Sequence, residues 1–247
     1  MSAMNAYRAA IVAELRKTFR QPGFVLPSLL FPVCFYLLFG ILLPHRGEFN
    51  AASWFFASYA AFGVIGPALF GFGAALAVER EAGWLDLQRV APMPASAPLV
   101  AKLVLSLVFA AVIFALLSAL AASVGGVRLP PLRWLASGAV LVLGTLPFCA
   151  LGLLIGSQVR ARSAAGVVNL IYLPMSALSG LWFPIALMPP LVQKLALLLP
   201  AYHLGQLNFI ATAQVPGNWT SHALALSVFA VIFMALAARG LSRSESR

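Results

Sequence analysis

Six runs of apolar residues, at 23–43, 54–78, 100–124, 134–157, 164–186 and 219–238, are separated along the chain by segments of more mixed or polar character. Crossing the roughly 30 Å hydrocarbon core of a bilayer takes about twenty apolar residues at about 1.5 Å of rise each, and each run has that length. Lys102 is the only charged residue within any of them, and it lies at one end, where its long stem is expected to snorkel to the interface. The pattern predicts an all-α integral membrane protein with six transmembrane helices in a single domain over 1–247.

Three segments fit neither a span nor a simple loop. In residues 1–22, Tyr7, Ile11, Leu15 and Phe19 recur every four residues while Arg8, Arg16, Lys17 and Arg20 fall off that stripe. This spacing predicts an N-terminal amphipathic helix lying on the inner membrane surface. Residues 79–98 gather Glu79, Arg80, Glu81, Asp86 and Arg89 around Trp84, Leu85, Leu87 and Val90. Residues 187–200 carry Met188, Pro189, Pro190, Leu191 and the run Leu195 to Leu199. That stretch is too short to cross and is bounded by prolines, so an outer re-entrant hairpin is expected.

Prolines and glycines punctuate the spans, with Pro27 and Pro32 in the first, Pro67 in the second, Pro147 in the fourth and Pro174 in the fifth. Neighbouring helices in a membrane protein can satisfy the carbonyls that such residues free. Gly152 and Gly156 form a GxxxG pair whose expected use is close packing within the chain. Cys34 and Cys149 both fall in apolar stretches and are expected to be buried packing residues. The first apolar run is long enough to span and lacks a small-residue cleavage site after it, so it reads as a retained helix.

Composition changes the picture mainly through charge. Hydrophobic residues make up 62% of the chain and charged residues 9%, far from the roughly one quarter usual in soluble domains. Of sixteen Lys and Arg, twelve fall on one side of the predicted spans and four on the other. The richer side should be cytoplasmic and should hold both termini. The net charge of +10 is thereby explained by the membrane surface, and no nucleic-acid partner is expected.

Several chemistries are excluded by residues that are missing. No lysine follows a glycine, so a phosphate-binding loop is absent and ATP hydrolysis is not expected of this chain. Asp86 is the only aspartate, which rules out cation sites built from paired aspartates. His45, His203 and His222 are scattered on the outer side, and no metal site is expected. An intramembrane serine hydrolase or protease would have to pair Ser179 with His203 or His222. An ion-coupled secondary transporter usually keeps an ionisable group in mid-membrane, and the spans supply none, which leaves that alternative only an ion site of backbone carbonyls at broken helices.

Three stretches resemble the type-2 ABC exporter permeases of bacterial drug, lipid and polysaccharide exporters. They are Glu14-Leu15-Arg16-Lys17-Thr18-Phe19-Arg20-Gln21-Pro22; Glu79-Arg80-Glu81-Ala82-Gly83-Trp84-Leu85-Asp86 through Ala91-Pro92, followed by Lys102; and Leu178-Ser179-Gly180-Leu181-Trp182-Phe183-Pro184 with Met188-Pro189 and Leu199-Pro200. The resemblance covers nearly the whole chain. It implies a permease in the bacterial inner membrane that works with a separate ABC ATPase, on which ATP and Mg would bind, and with a second copy or a paralogue. It also implies a connecting helix whose interface uses Glu14, Arg16, Lys17 and Arg20. The coupling helix it implies would contact the ATPase through Glu79, Arg80, Glu81, Gly83, Trp84, Leu85, Asp86 and Arg89. One departure is Trp84, where the family commonly has a small hydroxylated residue.

A permease without its own nucleotide site must receive work through a contact, and a short segment with an apolar centre and charged flanks suits insertion into a partner's groove. Between two copies, the second and fifth spans would line the pathway, with Phe55, Phe56, Tyr59, Phe62, Tyr172 and Met175 as candidate lining residues. Their apolar and aromatic character favours a hydrophobic or amphipathic cargo.

Overall fold

A computed structural model describes residues 3–43, 50–84, 93–94 and 96–245, with side chains described as far as residue 240. The described residues are helical, with no strand among them. Helix α1 covers Ala3–Phe19, and α2 covers Pro22–Phe35 and continues as a π-helical stretch, Tyr36–Leu42. Helix α3, Ala51–Leu69, passes through a second π-helical stretch, Phe70–Ala74, into α4, Ala75–Glu81. There follow α5 (Ala97–Ser123), α6 (Pro131–Leu143), α7 (Leu146–Gln158), α8 (Ala161–Leu178), α9 (Pro190–Ala196), α10 (Pro200–Ala211) and α11 (Trp219–Glu245). Both π-helical stretches begin one turn after a proline, Pro32 or Pro67, where the regular i to i−4 ladder is already interrupted.

Prolines also start six of these helices, α2, α5, α6, α7, α9 and α10, where the missing N–H removes no intrahelical bond. Asn50 caps α3 by accepting from the Ser53 amide at 3.1 Å. Helix α3 is the hub of the fold, and every one of its residues except Ala52 is buried. Around it pack α2, α5, α6, α7, α8 and α10, while α11 lies mainly along α7. The outer surfaces of α2 and α11 expose Leu26, Leu30, Val228 and Val231, apolar faces suited to hydrocarbon and unsuited to water.

Among the described residues, five helical stretches are long and apolar enough to cross a membrane: Pro22–Leu42, Ala51–Glu81, Ala97–Ser123, Pro131–Gln158 and Trp219–Gly240. They match the first four expected spans and the last. The fifth expected span, 164–186, differs, because α8 stops at Leu178. Ser179 and Gly180 end it: Gly180 takes φ +76°, its amide bonds to the Ala177 carbonyl at 3.1 Å, and the Leu181 amide reaches back to Ser176 at 3.2 Å. This is a Schellman closure, which a glycine accommodates at little cost. The 18 residues of α8 rise about 27 Å at about 1.5 Å each, a little less than a hydrocarbon core.

Other expectations are refined. The pairs Tyr7 with Ser96, Glu14 with Lys102 and Phe19 with Phe109 advance together along both helices, so α1 runs parallel to α5 and against it. Within 187–200 lies α9, and the mixed stretch after it, not singled out by the hydrophobic pattern, forms the well-buried α10. Gly152 and Gly156 do pack within the chain, since a Cβ on Gly156 would lie 2.4 Å from the Phe72 carbonyl oxygen and one on Gly152 would lie 2.8 Å from Phe72 Cβ. Cys149 is buried as expected, but Cys34 is exposed on the outer face of α2.

Candidate functional site

The charged end of α4 is held on two sides by the chain itself. On one side stands Lys102, which does not snorkel: it is 2% exposed, with Nζ 2.7 Å from a Glu14 carboxylate oxygen and 2.9 Å from one of Glu79. A charge this deep needs partners, and the two carboxylates supply them. Lys17 completes the group by donating to Glu79 and lying 3.5 Å from Glu14. Burial works against the charge on Lys17, yet the hydrogen bond and charge of Glu79, followed by those of Glu14, outweigh it and raise its pKa. Helices α1, α4 and α5 are therefore joined by four alternating charges.

On the other side, the Arg80 guanidinium donates to the Ser157 carbonyl and, at 2.9 Å, to that of Val159. Glu81 accepts from the Ala161 amide at 2.9 Å. These contacts anchor α4 to the junction of α7 and α8, where carbonyls and amides at helix ends lack intrahelical partners. Glu79, Arg80 and Glu81 thus form the last turn of the second span and are engaged inside the chain. Beyond them Gly83 takes φ +72° and turns the backbone, and Trp84 stands 56% exposed. Leu85, Asp86 and Arg89, the remaining expected coupling residues, lie outside the described residues. In the expected connecting-helix interface, Glu14 and Lys17 enter the charge cluster, whereas Arg16 and Arg20 are exposed.

The six aromatic and apolar pathway candidates are all buried within this one chain. Phe62 stacks on Tyr172 with centroids 5.0 Å apart, and the Tyr172 hydroxyl donates to the Phe62 carbonyl at 3.0 Å. Phe55 stacks on Tyr59, whose hydroxyl donates to the Trp182 carbonyl at 3.3 Å. Phe56 points elsewhere, its ring 5.0 Å from that of Trp134. Met175 is buried in α8. Five of the six thus sit where α3 meets α8 and the turn after it, or beside that junction, and Phe56 belongs to another face.

Two polar features escaped the pattern reading. Asn208, fully buried on α10, accepts from the Ser137 hydroxyl and donates to the Ala57 carbonyl, both at 2.7 Å, and so joins α10 to α6 and α3. Its sequence signal was only an asparagine in a moderately apolar stretch. On α8, Arg162, Gly166, Asn169, Leu170, Pro174 and Leu178 form an exposed stripe with a polar group in its middle. Helical spacing across 162–178 could have revealed it.

The serine hydrolase alternative lacks its central contact. The Ser179 hydroxyl is buried and has no hydrogen-bond partner among the described residues. His203 and His222 face each other instead, with Nδ1 atoms 2.9 Å apart.

Among the described residues the chain is helical, with several helices long and apolar enough to cross a membrane, which makes it a multi-pass membrane protein. The chain belongs to the ABC-2 type transporter family, whose model matches residues 5–211. It is similar to YvfS of Bacillus subtilis (strain 168), a protein that bears the name of a transport permease, at 29% identity over 237 residues, 94% of this chain and 96% of that one.

Proposed function

We propose that this chain is the membrane-spanning subunit of an ATP-driven ABC exporter in a bacterial inner membrane, with both termini cytoplasmic. It moves a hydrophobic or amphipathic cargo, such as a drug, lipid or glycolipid, and is powered by a separate ATPase that binds ATP and Mg. Two copies, or this chain and a paralogue, form the working unit. Helix α8 with the turn that follows it serves as the sixth crossing, and 187–200 dips back into the outer leaflet.

The observation that carries the reading is the braced end of α4. Glu79, Arg80 and Glu81 are tied to α1, α5 and the α7–α8 junction, so a push on the segment beginning at Gly83 and Trp84 reaches four helices at once. The contact with the ATPase accordingly falls on Trp84 and the expected coupling residues Leu85, Asp86 and Arg89, while the three charges before them form its rigid base. The exposed stripe on α8, centred on Asn169, faces the second copy, and the aromatic group around Phe62 and Tyr172 opens towards it during the cycle. Co-purification with an ATPase carrying a Walker motif tests this. Hydrolysis by the complex should rise with an apolar cargo, whereas the isolated chain should hydrolyse no ATP.

A further inference from the structure

His203 and His222 are nineteen residues apart in sequence and come together in the first turns of α10 and α11. Their Nδ1 atoms are 2.9 Å apart and their ring centroids 5.2 Å. The other nitrogen of His203, Nε2, lies 3.0 Å from the Leu197 carbonyl oxygen. A carbonyl only accepts, so Nε2 carries the proton and Nδ1 of the neutral ring keeps its lone pair on the side that faces His222. Metal-ligating histidines recur with this arrangement, the outer nitrogen donating to a backbone carbonyl and fixing the tautomer.

We infer that His203 and His222 chelate a divalent transition-metal ion of tetragonal preference, Cu2+ or Ni2+, through their two Nδ1 atoms, and that the bound ion staples α10 to α11. The separation of the metal-free rings already suits a tetragonal ion. With metal–nitrogen bonds of about 2.0 Å, nitrogens 2.9 Å apart subtend about 90° at the ion. That is the angle between neighbouring ligands in square-planar or tetragonal coordination. Tetrahedral Zn2+ would need the nitrogens about 3.3 Å apart. Both imidazoles are half-buried, with the Tyr202 ring centroid 5.4 Å from His203 and 5.9 Å from His222, and Phe229 flanking His203. The remaining coordination positions are taken by water. Without metal, the same 2.9 Å contact is bridged by a proton on His222 Nδ1.

The test uses the purified full-length chain in detergent, free of any affinity tag, with CuCl2, NiCl2 or ZnCl2 as the probe. Electron paramagnetic resonance of the stoichiometric Cu2+ complex should give a tetragonal spectrum with two imidazole nitrogens coordinated. Cu2+ and Ni2+ should raise the thermal unfolding midpoint more than Zn2+. His203→Gln and His222→Gln should each weaken Cu2+ binding roughly ten-fold or more, because each removes one arm of a chelate. Should His203→Gln not fold, His222→Gln carries the same expectation. A single coordinated nitrogen in the wild-type chain, or Cu2+ affinity unchanged in His222→Gln, would overturn the assignment.

Discussion

Replacing Lys102 by Met keeps the apolar stem and removes the ammonium from between two carboxylates. Glu14 and Glu79 are then left with Lys17 alone, which is half-exposed and 3.5 Å from Glu14. Removing one member of a buried ion pair costs about 3–5 kcal/mol, because the remaining charge stays desolvated. The lower end of that range applies here, since Lys17 still contacts both carboxylates. Adding Glu14→Gln and Glu79→Gln should restore much of the loss, because no buried charge then lacks a partner. The assay is thermal unfolding in micelles of the single, double and triple variants, from which the coupling follows as a mutant cycle. A loss below about 0.5 kcal/mol in Lys102→Met, the size expected of a surface change, would mean that the ammonium is solvated at the interface, and the bracing argument would fail.

Gly156→Ala places a methyl group 2.4 Å from the backbone oxygen of Phe72 and should cost about 1–3 kcal/mol, whereas Gly166→Ala, with nothing within 4 Å, should melt like the parent chain. Asn208→Ala leaves the buried Ser137 hydroxyl without its acceptor and should cost about 1–3 kcal/mol in the same measurement, while the Ala57 carbonyl keeps its place in the hydrogen-bond ladder of α3. The raised Lys17 pKa means that its contribution is fully present below the ordinary value of 10.5 and is lost only as pH climbs through the raised one. Between about pH 7 and 10, Lys17→Met should therefore lower the unfolding midpoint by a constant amount, and a difference that vanished within this window would contradict the charge cluster.

Much of the fold is legible in the chain because the hydrophobic periodicity of a membrane helix is set by the bilayer and barely depends on neighbours. The spans that begin near Pro22, Ala51, Ala97, Pro131 and Trp219 follow from that alone. What stayed hidden depends on partners distant in sequence. Lys102 at the end of an apolar run looks like a snorkelling residue until Glu14 and Glu79, 88 and 23 residues away, are seen to meet it. Glu79 and Arg80 read as contacts to the ATPase for the same reason. The end of α8 rests on one local feature, the left-handed Gly180, which is outweighed by the apolar residues around it in any hydropathy window. Helix α10 was missed because its buried face includes Asn208, a polar residue whose bonds close only in three dimensions. The convergence of His203 and His222 is of the same kind.

Trp84 offers the most direct test of the central claim, because it is exposed and follows the braced turn. Trp84→Asp should leave the unfolding midpoint of the isolated chain unchanged, while placing an unpaired carboxylate in the contact with the ATPase, a penalty of several kcal/mol. The measurement is capture of the ATPase by the purified permease, wild type against Trp84→Asp, with ATP hydrolysis read on the captured complex. Loss of capture by a variant that melts like the wild type is the result this account predicts. Capture and cargo-stimulated hydrolysis equal to those of the wild type would contradict it.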